Sequence, residues 1–189
     1  SNIKKNKFIR NINIAKSYIR NGDIFQVVPS QRFETNYIAS SSTLYRVLRI
    51  TNPSPFMYYF NLPNFHVVGS SPEILVRIRS KTMTIRPIAG TRPRGKNIKQ
   101  DKMYEHDLLK DKKEVAEHLM LLDLGRNDVG KVSKKSSVTV TSKFIIERYS
   151  HVMHIVSNVV GKFNKKVSSF EALLAGFPAG TVSGAPKIR

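Results

Sequence analysis

Eight of the 13 acidic residues of this 189-residue chain lie between Asp101 and Asp128, although 32 Lys and Arg give the whole chain a formal net charge of +19. The end of that stretch reads Glu114-Val-Ala-Glu117-His118-Leu-Met-Leu-Leu-Asp123-Leu-Gly-Arg126-Asn127-Asp128. Residues three apart on a helix stand about 5–6 Å from one another, so Glu114 and Glu117 point the same way. Val115, Leu119 and Leu122 form a neighbouring core stripe, and Gly125 is the expected C-terminal stop of the helix. Two readings follow: the acids face water on an ordinary surface helix, which spacing alone favours because most Glu pairs on helices are solvated, or they belong to a site for a divalent cation. Two carboxylates do not close such a site, so further oxygens would come from other segments or from a substrate.

Four other segments are richer in Gly, Pro, Ser and Thr than helices or strands require. They are Gly22-Asp-Ile-Phe-Gln26-Val-Val-Pro-Ser-Gln31, Gly69-Ser-Ser-Pro-Glu73, Pro87-Ile-Ala89-Gly90-Thr91-Arg-Pro-Arg-Gly95 and Phe177-Pro-Ala-Gly180-Thr181-Val-Ser-Gly-Ala-Pro186-Lys187. Glycines beside hydroxyls let backbone N–H groups approach an anion closely. Each segment taken singly reads as a turn.

The elements that must position these residues alternate in type. An amphipathic helix is predicted over residues 8–20, with Phe8, Ile12, Ala15 and Ile19 on one side and Asn21-Gly22 ending it. Residues 23–34 are strand-like and interrupted by Pro29. A second helix is predicted over 43–51, led by Ser40-Ser41-Ser42 and stopped before Pro53. Residues 56–62, 65–69, 74–78 and 82–87 are β-rich, with a hairpin expected between 74–79 and 82–85. After the acidic helix, 138–141 alternates and 143–160 is β-rich. Ser168 and Glu171 form a capping box for a short helix to Leu174, and Pro186 suits the first turn of another. This order argues α+β with mainly antiparallel sheet.

Composition sets outer limits. The hydrophobic content of 40% is that of a globular chain, and its length allows one substantial core. No apolar run approaches the roughly 20 residues needed to span a bilayer, and no signal-peptide apolar stretch follows the basic N-terminus. The absence of Cys excludes disulfides and thiolate chemistry. A cytoplasmic protein fits best, with no membrane partner. The net charge could indicate a basic nucleic-acid-binding protein, but the Lys residues are scattered in short pairs without interleaved stacking aromatics. No specific nucleic-acid partner is therefore expected.

Longer strings carry a resemblance. Asn52-Pro-Ser-Pro55-Phe-Met57, the segment from Glu117 to Asp128, and Arg148-Tyr-Ser-His-Val-Met-His154-Ile-Val-Ser157 closely resemble component I of anthranilate synthase, a chorismate-utilising enzyme family. The likeness runs from Tyr18 to Arg189. It implies an α+β sandwich of mainly antiparallel sheets, with helices outside and the site between the sheets. It also implies that residues 1–189 are the central part of the chorismate-binding catalytic domain, without an N-terminal regulatory part or a C-terminal catalytic part. Such a piece is expected to be inactive by itself, and poorly soluble or partly unfolded.

The same resemblance assigns roles by motif. Glu117 matches a Mg2+ ligand, and Glu114 its partner one turn earlier. Gly90, Thr91 and Thr181 match chorismate-binding positions. Glu73 matches the acid that assists departure of the C4 hydroxyl, and by position alone would pass for a strand-edge acid. His154 matches the active-site His, although alternation puts it on one face with Val152 and Val156, the setting of a hydrogen-bonded core His. His118 and His151 are read as structural. Pro55 and Met57 match a feedback site for L-tryptophan, or form a Pro-rich turn with a core Met.

Two positions separate the relatives. Isochorismate and salicylate synthases carry a Lys where this chain has Gln26, and the aminodeoxychorismate synthase component has a Lys where this chain has Ala89. The expected reaction is therefore addition of ammonia to chorismate, with ammonia delivered by a glutamine amidotransferase subunit.

Overall fold

A computed structural model describes residues 1–187. In chain order its elements are helix α1 (Lys5–Arg20), strand β1 (Gln26–Val27), α2 (Ser41–Thr51), β2 (Phe56–Asn61), β3 (His66–Ser71), β4 (Arg77–Arg79), β5 (Thr82–Ile85), β6 (Ile88–Pro93), α3 (Ile98–Lys110), α4 (Lys112–Val132), β7 (Thr139–Arg148), β8 (Val152–Lys162), α5 (Ser169–Gly176), α6 (Gly180–Ser183) and β9 (Gly184–Ala185). They divide into two units. One comprises Ser1–Asp23 with Pro29–Glu73, and the other comprises Ile24–Val28 with the chain from Ile74 onward.

The first unit is built by local signals. The Ser40 side chain accepts a hydrogen bond from Thr43 N and opens α2, satisfying one of the otherwise orphaned N–H groups of its first turn. Strands β2 and β3 pair antiparallel from Phe56↔Ser71 to Asn61↔His66. Gly69 lies under the ring of Tyr58, where any Cβ would collide with it. The strand expected over residues 23–34 shrinks to Gln26–Val27. Only those two residues pair with another strand, β9, and Pro29 beyond them has no N–H to donate.

The second unit is a five-stranded antiparallel sheet with β8 at its centre. β7 pairs along one edge of β8, and β6 followed by β5 along the other. The expected hairpin forms between β4 and β5. Ser80 and Lys81 make its turn with φ of +49° and +60°, the positive-φ geometry that matches strand twist. Met153, Ile155 and Val159 of β8 are fully buried against the helices, in clusters that include Leu108 of α3 and Leu122, Val129 and Val132 of α4.

Three expectations about the acidic region change. It folds as two helices, because Asp111 interrupts the path and caps α4 by accepting from Lys113 N and Glu114 N. The buried stripe of α4 is His118, Leu121, Leu122, Gly125, Asp128, Val129 and Val132, whereas Leu119 is half exposed. Gly125 does not stop the helix, which runs on to Val132. Its missing side chain instead lets the sheet come close, since a Cβ there would sit 3.2 Å from Pro87 Cγ. The capping box at Ser168 and Glu171 is present. Gly184 and Ala185 form a short strand, and Pro186 and Lys187 a bend. Any helix beyond them lies outside the described residues. No described helix is long and apolar enough to cross a membrane.

Candidate active site

The two carboxylates on α4 stand apart from every other acid in their stretch. Asp101, Glu105, Asp107, Asp111, Asp123 and Asp128 all form ion pairs with Arg or Lys. Among the described residues, Glu114 and Glu117 form none, although both are only half exposed. Glu117 Oε1 instead accepts a hydrogen bond from Gln26 Nε2 at 3.1 Å. The other amide atom of that Gln, Oε1, is buried with no partner among the described residues. Strand β1 supplies Gln26, and its register with β9 places Gln26 opposite Ala185. Thr181 precedes that pairing in α6, whose Gly180 packs tightly against Leu124 of α4.

A second cluster forms where β6 bulges between Ala89 and Thr91. Gly90 takes φ +72° there, a conformation that L side chains rarely adopt. A Cβ on Gly90 would lie 3.0 Å from Leu108 Cδ1 and 3.4 Å from Glu114 Oε2. The same residue's carbonyl oxygen is 2.9 Å from His154 Nδ1, and Thr91 Oγ1 is 3.1 Å from that nitrogen. A carbonyl only accepts, so Nδ1 carries a proton; in the neutral form of the ring the lone pair is then on Nε2. Alternation along β8 puts His154 on the face opposite Met153 and Ile155, which pack toward α3 and α4. Gly90 therefore lies beside Glu114 on one side of the sheet and bonds His154 on the other. The ring of Tyr149 meets His154 edge-on at 5.5 Å. Tyr149 in turn donates to Glu147, which pairs with Arg86; burial, reinforced by the Glu147 carboxylate, raises the Tyr149 pKa.

Replacing Gly90 by Ala is expected to cost about 1–2 kcal/mol from the positive φ alone. It also pushes on Leu108. Thermal unfolding is the measurement, and the midpoint should fall.

Glu73, Pro55 and Met57 belong to the first unit. Glu73 follows β3, and its backbone N–H donates to Ser71 Oγ at 3.2 Å. Pro55 is exposed and Met57 half-buried, the latter opposite Ser70 in the hairpin.

Sequence reasoning missed the groups that hold α4 in place. Arg92, directly after Thr91, donates to Asp107 at 2.6 Å and to the capping residue Asp111 at 2.9 Å. The charge-assisted bond from Arg92 and the N–H groups of the helix start lower the Asp111 pKa. The spacing Asp111-x-x-Glu114, a cap signature, was the available signal. His118 is fully buried, with Nε2 2.7 Å from Ser157 Oγ, and desolvation pushes its pKa down to about 4. Nothing local announces the pair of Lys187 and Asp128.

The second unit is an antiparallel α+β fold in which a glycine bulge on β6 lies between a helix carboxylate, Glu114, and a strand histidine, His154. The chain belongs to the chorismate binding enzyme family, whose profile matches residues 1–189. It is 66% identical to the anthranilate synthase component 1 of Cereibacter sphaeroides over 93% of this chain and 35% of that protein. The solved structure of anthranilate synthase component I from Streptococcus pneumoniae superposes with a TM-score of 0.89 at 43% identity, covering 98% of this chain and 40% of that one. A putative 2,3-dihydroxybenzoate-specific isochorismate synthase from Bacillus anthracis shares the fold, with a TM-score of 0.74 at 22% identity over 95% of this chain and 50% of that one. The chain thus spans little more than a third of the length of the relatives it matches.

Proposed function

We propose that this chain is the central part of the catalytic domain of the synthase subunit of anthranilate synthase, a lyase that converts chorismate and ammonia to anthranilate, pyruvate and water in tryptophan biosynthesis. The observation that carries the reading is that Glu114 and Glu117, in a chain of net charge +19, have no Arg or Lys partner among the described residues, while the Gln26 amide donates to Glu117. Mg2+ suits this donor set. It is a hard cation that accepts one or two carboxylates and keeps water or substrate oxygens in its remaining positions. No cluster of three or more His, Cys, Asp or Glu exists among the described residues, which is consistent with a site completed by substrate oxygens or by other segments. Bound there, Mg2+ would neutralise and orient a chorismate carboxylate. Glu117 would hold it directly, and Glu114 directly or through water.

The chain's own residues then divide the work. Gly90, Thr91 and Thr181 bind the substrate. Glu73 protonates the departing C4 hydroxyl as ammonia adds at C2. His154, with its free Nε2, is placed to move a proton during the elimination that releases pyruvate. The unpartnered Gln26 Oε1 is an acceptor for an N–H nucleophile, and a neutral amide cannot deprotonate water as a Lys would. Ala89 cannot form the covalent amine intermediate of the aminodeoxychorismate branch. Ammonia would come from a glutamine amidotransferase subunit, L-tryptophan would act at Pro55 and Met57, and the location would be cytoplasmic.

Product analysis tests the reading. The complete enzyme, given chorismate, Mg2+ and an ammonium salt, is expected to yield anthranilate, with neither isochorismate nor aminodeoxychorismate accumulating. Isochorismate as the main product would overturn the role of Gln26.

A further inference from the structure

Glu117 can act only if α4 holds its carboxylate still, and the next residue makes a fully buried polar contact between that helix and the centre of the sheet. His118 is 0% exposed, as is Ser157 of β8. Ser157 Oγ lies 2.7 Å from His118 Nε2 and accepts the backbone N–H of Phe144 at 3.1 Å. Phe144 has φ +55° at the irregularity where the β7–β8 register shifts between Ser142 and Ile145. Its ring meets the imidazole edge-on at 4.8 Å. One imidazole thus joins α4 to both strands of the longest pairing in the sheet.

The hydrogen count fixes the direction of the bond. A hydroxyl has one proton and two lone pairs, and Phe144 N–H fills one lone pair. If the hydroxyl donates to Nε2, the single unsatisfied group is Nδ1–H, and Nδ1 is indeed buried without a partner among the described residues. The reverse arrangement strands both the Nδ1 lone pair and the hydroxyl proton. The first arrangement therefore costs less.

We propose that His118 is a positioning residue for Glu117, its bond to Ser157 fixing the rotation of α4 about its own axis. Successive helical residues are about 100° apart, so locking His118 into the sheet turns Glu117 toward the edge where Gln26 meets it. A rotation of about 10° moves a carboxylate standing roughly 6–7 Å from the helix axis by about 1 Å, and errors of that size cost on the order of a hundredfold in catalysis. The inference rests on the assignment of Glu117 as a metal-binding residue.

The experiment uses the complete enzyme and Mn2+ as a spectroscopic probe, read by electron paramagnetic resonance with chorismate present, alongside the Mg2+ dependence of turnover. His118→Leu and Ser157→Ala should each weaken Mn2+ binding by about tenfold, in the range for groups that orient metal ligands. They should raise the half-saturating Mg2+ concentration to match. The double variant should be no worse than either single one, and His118→Gln, which keeps an acceptor near Nε2, should recover most of the affinity. Ser157→Ala removes one oxygen and carries the test where His118→Leu does not fold. Mn2+ affinity unchanged in a folded Ser157→Ala variant, while Glu117→Gln abolishes binding, would overturn the positioning role alone. Unchanged Mn2+ binding in Glu117→Gln itself would overturn the metal assignment on which it rests.

Discussion

Glu117→Gln should lower the Mg2+-dependent turnover of the complete enzyme by a hundredfold or more. Gln keeps the length and shape of Glu and still reaches Gln26, so the loss is electrostatic rather than steric. Charge stabilisation by a bound metal ion amounts to several kcal/mol, and each 1.4 kcal/mol is about one decade. Two features make the effect local. Glu117 has no cationic partner among the described residues, so no salt bridge is broken with the charge. Its hydrogen bond to Gln26 Nε2 can be replaced by the amide oxygen of the new side chain. Thermal unfolding should therefore be nearly unaltered while Mg2+ dependence disappears. Undiminished activity with an unchanged Mg2+ requirement would reject the assignment. Glu114→Gln is expected to do less, because Glu114 belongs to the α4 N-cap region that Asp111 already holds.

Lys187→Met should give the largest loss of stability. The Lys187 ammonium is almost fully buried and places all three of its donors. It bonds Asp128 Oδ2 at 2.7 Å, Gly176 O at 2.7 Å and Ala175 O at 3.1 Å. The first bond neutralises a carboxylate on α4, and the other two satisfy carbonyls left open at the end of α5. Removing one partner of a buried ion pair costs about 3–5 kcal/mol, because the other charge stays buried. Lys131 also reaches Asp128, at 3.1 Å, but from a half-exposed position, so it recovers only part of the loss. A denaturant titration of the complete enzyme reads the effect. The double change Lys187→Met with Asp128→Leu should regain much of the stability, since an apolar pair of similar volume carries no buried charge. A midpoint for Lys187→Met within error of the parent would sink the argument.

The parts of the fold that could be read without coordinates are those whose causes lie within a few residues. Ser40 caps α2 from three residues away. Ser168 and Glu171 cap each other, and the β4–β5 hairpin is closed by its own two-residue turn. The motif strings carried the family resemblance for the same reason, since each is contiguous. Misreadings occurred where one local pattern serves two purposes. Gly125 can end a helix or admit a neighbouring strand, and only the presence of Pro87 and Ile85 at that point decides for the second. Val115, Leu119 and Leu122 share a plausible stripe, but the sheet meets α4 along the line from His118 to Val132, leaving Leu119 outside it.

The candidate site divides the same way. The residue types Gln26, Gly90, Thr91, Glu114, Glu117, His154 and Thr181, and the facing of Glu114 with Glu117, belong to the sequence by itself. Which acids keep a free charge does not. Among the described residues, six of the eight acids in their stretch take an Arg or Lys partner, several of these brought in by strands and loops far along the chain, and the remaining two are identified only once those partners are in place. The tautomer of His154 depends on a carbonyl 64 residues away, and the bond from His118 to Ser157 spans 39 residues. Backbone hydrogen bonding and side-chain period act over one or two turns, so sequence specifies them. Charge pairing and burial depend on which surfaces meet: here β6, β7 and the segment after β9 bring cations to the acids, and the packing of α4 on β8 sets its buried stripe.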